Sequence, residues 1–203
     1  MNRTHRQFVE AVAGTIDLPE PIYEFGSYQV KGQEQIANLR DIFPPGIEFV
    51  GTDMRHGPGV DRVMDLHNLP LPDSSVGTAL CIATLEHVRE PWTASNEIYR
   101  VLKPDGIAVI SSVFAHRIHD YPDDYWRFTA EAFDVLLGQF DFAWTSQAGP
   151  SRTPHTIVGI GGKNCDLPWP RTVKDALDKW KRNNYRTKSL PRRLFRAIQG
   201  ELK

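Results

Sequence analysis

VGTALCIATLEHVREPWTASNEIYRVLKPDGIAVISSV, residues 76–113, reads as one strand–helix–strand unit. Val76 to Ala83 is an apolar run with the length of a strand buried on both faces. Pro91 to Leu102 is helical, with Trp92, Ile98, Val101 and Leu102 as its apolar members. Gly106 to Val113 is the clearest strand of the chain. Two strands separated by a helix imply a crossover connection, hence a parallel sheet with helices packed on it.

The same alternation extends outward. Upstream, an amphipathic segment from Gln7 to Val12 ends near Gly14, and Ile22 to Gly26 is a short β-prone run. A helix is expected from Gln33 to Ile42, stopped by Pro44-Pro45-Gly46. Ile47 to Asp53 reads as a strand ending in an acid, and the loop Arg55 to Gly59 leads to a short apolar stretch at Val60 to Met64. Downstream, Thr129 caps a helix through Leu137. Phe140 to Thr145 and Thr156 to Ile160 then give the last two strands, an antiparallel pair. The expectation is an α/β, Rossmann-like, doubly wound sheet of seven mostly parallel strands, with helices on both faces and an antiparallel last strand.

Composition sets the outer bounds. The chain has 203 residues, 24% charged and 40% hydrophobic, which suits one globular domain with an appendage. No apolar stretch reaches the length of a membrane span, and the start, MNRTHRQFVEAVAGTIDL, lacks the apolar run of a secretory signal. Cys81 and Cys165 form no spaced cluster, which argues against a disulfide framework or a zinc site and for a reducing cytoplasm. The formal charge of −1 hides an asymmetry. Residues 171–203 hold 11 Lys and Arg against 3 Asp and Glu, whereas residues 1–170 hold 13 against 22. The expected division is therefore an acidic body, 1–170, and a basic extension, 171–203. Such a body offers no basic face to nucleic acid. In the extension, Val173, Ala176, Leu177 and Trp180 form one helical stripe. Leu190, Leu194, Phe195, Ile198 and Leu202 form a second, after Pro191. These helices either dock on the acidic body or meet an anionic membrane or acidic partner.

In doubly wound sheets ligands bind beyond the carboxyl ends of the strands. Beyond the first strand stands Glu24-Phe25-Gly26-Ser27-Tyr28, where a glycine lets the backbone approach a ligand. Beyond the second stands Asp53, whose carboxylate can accept two hydrogen bonds from a ribose diol. The segments Asp65 to Val76, Leu85-Glu86-His87-Val88 and Glu97-Ile98-Tyr99-Arg100-Val101-Leu102-Lys103-Pro104-Asp105-Gly106 add a more specific pattern. With them, residues 20–160 resemble the class I S-adenosylmethionine-dependent methyltransferases, in the broad family with an LEHV strand end and a RVLKPGG-like helix end.

The resemblance implies S-adenosylmethionine as cofactor and assigns residues to it. Gly26 and Ser27 would lie against the methionine moiety, with Glu24 leading into the turn. Asp53 would hold the ribose and Met54 would pack on the adenine. Asp65 would accept from the adenine amine beside the Leu66 backbone, and Ala83 would line the amino-acid end. Asp105 takes the place of a family glycine, and Tyr28 stands where a second glycine is usual. The Tyr28 ring must therefore turn away or cover the cofactor.

Residues 114–129, FAHRIHDYPDDYWRFT, are poor core material and suit the wall or lid of a pocket. They resemble a subgroup of these enzymes linked with glycan modification. For an alcohol or phenol acceptor a general base is needed, and His119, His116 and His87 are the candidates. Tyr125 and Trp126 either stack on a substrate ring or anchor the loop. Arg127 either fixes an acidic substrate group or pairs with Asp123 or Asp124. The histidine pair invites a metal reading with Asp120, but no third and fourth ligand is in view and no metal is assigned. The function expected is methyl transfer to an oxygen or nitrogen of a small molecule or glycan. The alternative from another class is an inactive methyltransferase-fold scaffold. A nicotinamide-dependent oxidoreductase lacks its Gly-x-Gly-x-x-Gly after Phe25.

Overall fold

The computed structural model describes residues 1–119, 123–165 and 171–185. Seven strands form a single sheet: β1 (Ile22–Phe25), β2 (Phe49–Asp53), β3 (Arg62–Val63), β4 (Val76–Ile82), β5 (Leu102–Val113), β6 (Phe142–Ala148) and β7 (Thr156–Gly162). Their order is β3-β2-β1-β4-β5-β7-β6, and only β7 runs antiparallel to its neighbours, β5 and β6. The order reverses between β1 and β4, which pair in parallel with Phe25 opposite Cys81. A crevice opens at that switch point, beyond the strand ends.

The helices are α1 (Arg3–Ala13), α2 (Glu34–Ala37), α3 (Pro91–Val101), α4 (Ala130–Leu136) and α5 (Arg171–Asn183). Every residue of β4 is buried, because side chains on both faces of the sheet are covered. Leu80 and Ile82 join Phe8, Val9 and Val12 of α1 on one face. Ala79 and Cys81 join Ala94 and Ile98 of α3 and Phe133 of α4 on the other. Local signals agree with these assignments. The Asn2 side chain caps α1 by accepting from Thr4 N at 2.9 Å, and Thr129 caps α4 by accepting from Ala132 N at 3.2 Å.

Three sequence expectations are corrected. The helix over 33–42 is only α2 plus a 3₁₀ turn at Arg40–Ile42, because extended Asn38 breaks it and Leu39 is drawn into the core. β6 starts at Phe142, since Phe140 is buried in the core beside Leu137. β5 begins at Leu102, which pairs with Val76 ahead of a register shift. Asp105, where the resemblance expects glycine, adopts φ of +63°, a conformation that glycine would take without strain.

The stripe Val173, Leu177 and Trp180 of α5 is buried, and it packs on the acidic body through α1. The Trp180 ring lies 5.2 Å from Phe8, and its Nε1 donates to the Thr4 carbonyl at 3.0 Å. This apolar face is therefore spent on the body and does not offer itself to lipid. The second stripe, Leu190 to Leu202, lies outside the described residues. Among the described residues no helix is long and apolar enough to cross a membrane. Replacing Trp180 by Ala is expected to cost about 3–5 kcal/mol in urea denaturation, the range for a buried tryptophan. A loss below about 0.5 kcal/mol, the size of an ordinary surface substitution, would mean that α5 is not docked.

Candidate active site

A cavity of about 420 Å³ occupies the crevice at the switch point, within the range of ligand pockets. Glu24, Gly26 and Tyr28 bound it from β1, Asp53 and Met54 from β2, and Ala83 and Thr84 from β4. Asp65 and Leu66 come from the following loop, and His87, His116, His119 and Tyr125 from the far side. His5 of α1 also lines it. The structure thus collects most of the residues singled out in the sequence around one space.

The turn after β1 is fixed by packing. Gly26 has φ of +90°, and a Cβ there would lie 2.1 Å from Thr84 Oγ1. Thr84 in turn directs its hydroxyl at the carbonyls of Phe25 and Ile82, both at 3.1 Å, so the exits of β1 and β4 are tied together. Ala83 between them sits at φ of +52°, a rarely populated backbone state that clusters at functional sites.

Tyr28 neither blocks the crevice nor leaves it. Its ring lies on Gly57, where a Cβ would come within 2.2 Å of Cε2, and the Arg55 guanidinium stacks 4.5 Å from its centroid. It therefore forms a side wall on the Asp53 side. Asp53 Oδ1 accepts from Arg55 N at 3.0 Å, which leaves Oδ2 without a hydrogen bond among the described residues. Met54 is exposed at the rim. Asp65 Oδ1 is engaged by His67, whose Nδ1 lies at 2.7 Å.

Glu24 is buried, and burial pushes its pKa up to about 8, with Arg40 opposing and the charges of Asp53 and Asp61 adding. His5 is buried against Ser111 Oγ at 2.8 Å, and burial pushes its pKa down to about 3, so it stays neutral. Sequence reasoning missed His5, Thr84 and Glu86. Only the capped amphipathic start of α1 could have hinted at His5, and Glu86 was visible only as part of the LEHV string.

Three expected contacts are absent from the cavity wall. Ser27 is buried behind it, its N–H donating to the Thr52 carbonyl at 2.9 Å and its side chain turned toward Gly51. Trp126 anchors the loop, donating from Nε1 to the Val88 carbonyl at 3.0 Å. Arg127 holds both oxygens of the nearly buried Asp124 and also reaches the carbonyls of His116 and Arg117. These are the anchoring and pairing roles. Tyr125 does reach the cavity, and its N–H donates to the Glu86 carbonyl at 2.8 Å.

The histidines form a row across the far wall. Ring centroids are 4.7 Å apart for His87 and His119 and 4.8 Å for His116 and His119. His87 Nδ1 is 2.5 Å from the Asp123 carbonyl, and His119 Nδ1 is 3.1 Å from Asp124 Oδ2. Both acceptors require a proton on Nδ1 of the ring that faces them. Arg127 beside Asp124 holds that carboxyl well below the usual carboxylate range. Burial lowers the pKa of His116, and the charges of His119 and Arg127 add to this, which favours its neutral form. Glu86, His87 and His119 each bring a ligand-type atom to within 4.8 Å of the others. Asp120, which the metal reading from sequence joined to His116 and His119, lies outside the described residues.

Glu24 yields a pH prediction. The folded protein holds a proton on Glu24 up to about pH 8, whereas the unfolded chain releases it near the ordinary value of 4.5. Its contribution to stability is thus present below about 4.5 and is lost as pH rises through 8. Thermal denaturation without ligand is expected to show Glu24→Gln gaining on the wild type between pH 5 and pH 9. A constant difference across that range would contradict the burial argument.

Comparison with known proteins agrees with this geometry. Residues 35–110 match the family model described as a methyltransferase domain. An uncharacterised methyltransferase of Mycobacterium sp. (strain KMS) is 37% identical over a region covering 32% of this chain and 30% of that protein. The chain thus matches about a third of the length of that curated relative. Among solved structures, a methyltransferase of Thermotoga maritima, described as a possible histamine N-methyltransferase, superposes with a TM-score of 0.55. It is 22% identical, over 79% of this chain and 91% of that one. The 1,6-didemethyltoxoflavin-N1-methyltransferase of Burkholderia thailandensis, solved with that compound and S-adenosylhomocysteine, gives a TM-score of 0.54 at 17% identity. The coverage is 80% of this chain and 79% of that one. Residues 35–110 thus match a methyltransferase domain, on a sheet whose fold resembles that of solved S-adenosylmethionine-dependent methyltransferases.

Proposed function

We propose that the protein transfers a methyl group from S-adenosylmethionine to an oxygen or nitrogen of a small polar molecule or glycan. One observation carries the reading. A single cavity has a glycine turn and acids at the β1 and β2 ends on one side, and a row of histidines on the other. The acids suit a ligand that is cationic and carries a ribose diol. Asp53 Oδ2 would accept from the diol. Gly26 leaves room for the methionine end, and the Asp53 carboxylate favours a positive centre over the neutral product. Ala83 stands at the β4 end of this half, and Met54 and Leu66 offer apolar surface to a flat base.

When bound, the cofactor supplies an electrophilic methyl on a sulfonium. The protein's task is then orientation and the exclusion of water. The acceptor's proton must leave as it attacks. His116 is the histidine assigned to take it, since its ring lines the cavity with no hydrogen bond among the described residues, while His87 and His119 are held through Nδ1. Tyr125 at the same wall offers a ring face to a sugar or aromatic acceptor.

Calorimetry with S-adenosylhomocysteine tests the cofactor half. Binding is expected, and Asp53→Ala should weaken it by about 1–3 kcal/mol, the scale of a lost charge-assisted hydrogen bond. No heat at millimolar ligand would favour the scaffold reading. The chemical half is tested by radiolabelled methyl transfer to a panel of phenols, sugars and amines. His116→Gln is expected to lower kcat by about a hundredfold or more with little change in S-adenosylhomocysteine affinity. An unchanged kcat would remove His116 from the reaction.

A further inference from the structure

We propose that Glu86, His87 and His119 form a binding site for a divalent transition-metal cation, Zn²⁺ by preference, in the wall of the cavity that receives the methyl acceptor. Two imidazoles and one carboxylate are the donor set of catalytic zinc sites, which keep a further position for water or substrate. One ligand-type atom from each residue lies within 4.8 Å of the other two. Zinc bonds of 2.0–2.1 Å in a tetrahedral arrangement place ligand atoms roughly 3.4 Å apart. The cation would therefore draw the three groups together by about an ångström.

Two independent features favour this occupant. The first is the outer shell. Metal-bound histidines donate their other ring N–H to a carbonyl or carboxylate, which fixes both tautomer and aim. His87 does so to the Asp123 carbonyl and His119 to Asp124. Asp124 is itself locked by Arg127, so the orientation of His119 is over-determined.

The second is the burial of Glu86. Its side chain is almost fully buried and accepts a hydrogen bond from the Ser112 hydroxyl at 2.5 Å. A carboxyl removed from water is stabilised by hydrogen bonds or by a cation beside it. Among the described residues, the Met1 ammonium and Arg127 interact with Glu86 electrostatically. Burial disfavours the charged form of the first, and Asp124 occupies the second.

The site is also built as a unit. The 3₁₀ turn Leu85–His87 supplies two ligands, and the loop after β5 supplies the third. The N–H groups of Tyr125 and Trp126 donate to the Glu86 carbonyl, which ties the two segments together.

This deepens the methyltransferase reading and rests on it for its chemical consequence, since it points to a hydroxyl-bearing acceptor. The cation would polarise the acceptor hydroxyl as a Lewis acid. The O–H proton would pass to His116 and the oxygen lone pair would attack the methyl carbon. The sulfur–carbon bond would then break with its electron pair returning to sulfur. His116 neighbours His119 without being one of the three ligands, which suits it to that transfer.

The test is a Co²⁺ titration of the full chain after stripping with a chelator, read by visible absorption and reversed by Zn²⁺. Saturable bands displaced by a single equivalent of Zn²⁺ are expected. His87→Ala, His119→Ala and Glu86→Gln should each weaken binding by about a hundredfold or more, while His56→Ala, on the exposed loop, should leave it within about threefold. His87 is only partly buried, so its replacement keeps the test open if the Glu86 variant fails to fold. No bands, or bands that survive all three ligand substitutions, would overturn the site. S-adenosylhomocysteine calorimetry on the same preparations separates the two claims. Co²⁺ binding without nucleoside binding would leave the metal site standing and remove the methyltransferase reading. Nucleoside binding without Co²⁺ would do the reverse.

Discussion

The contact between Gly26 and Thr84 is the constraint on which the cavity depends. A side chain at position 26 would collide with Thr84, and the backbone there has a positive φ that other residues adopt only under strain. The contact lies at the reversal of strand order, where β1 is flanked by β2 and β4 and the crossover helices part to either face. The Thr84 hydroxyl bridges the two strand ends, so the floor of the crevice is a set of paired backbones. The exits of β1 and β4, with Gly26, Ala83 and Thr84, take their positions from that floor.

The cavity is electrostatically two-sided. Glu24, Asp53 and Asp65 gather on the β1 and β2 side, and His87, His116 and His119 on the other. A cationic donor would meet the Asp53 carboxylate, and a proton-bearing acceptor would meet the neutral His116 ring. The loop after β5 maintains the second half through Asp124 and Arg127, whose bidentate pair also collects the carbonyls of His116 and Arg117. Trp126 and Arg127, which the sequence leaves open between substrate contact and anchor, hold the histidine wall in place.

Much of this was legible in the sequence because it rests on local pattern. The alternation of apolar runs and helical stripes marks six of the seven strands, with β3 inside what reads only as a short apolar stretch, and Gly26 and Asp53 follow from their places at strand ends. The helix over 33–42 was misread because Leu39 answers to the core and not to helical periodicity. Non-local pairing was illegible for a different reason. Glu86 and His119 lie 33 residues apart and meet only through the turn after β4 and the loop after β5. Tyr28 was flagged as an obstacle, but its accommodation depends on the bare backbone of Gly57, which no spacing rule connects to it.

The central claim is that an adenosyl group lies across the ends of β1 and β2 with its sugar held by one acid. A crystal structure with S-adenosylhomocysteine bound tests it directly. The account predicts the ribose hydroxyls within hydrogen-bond distance of Asp53, the amino-acid end beside Gly26, and the sulfur facing His116 and His119. A ligand seated elsewhere, with Asp53 still occupied solely by Arg55, would contradict it.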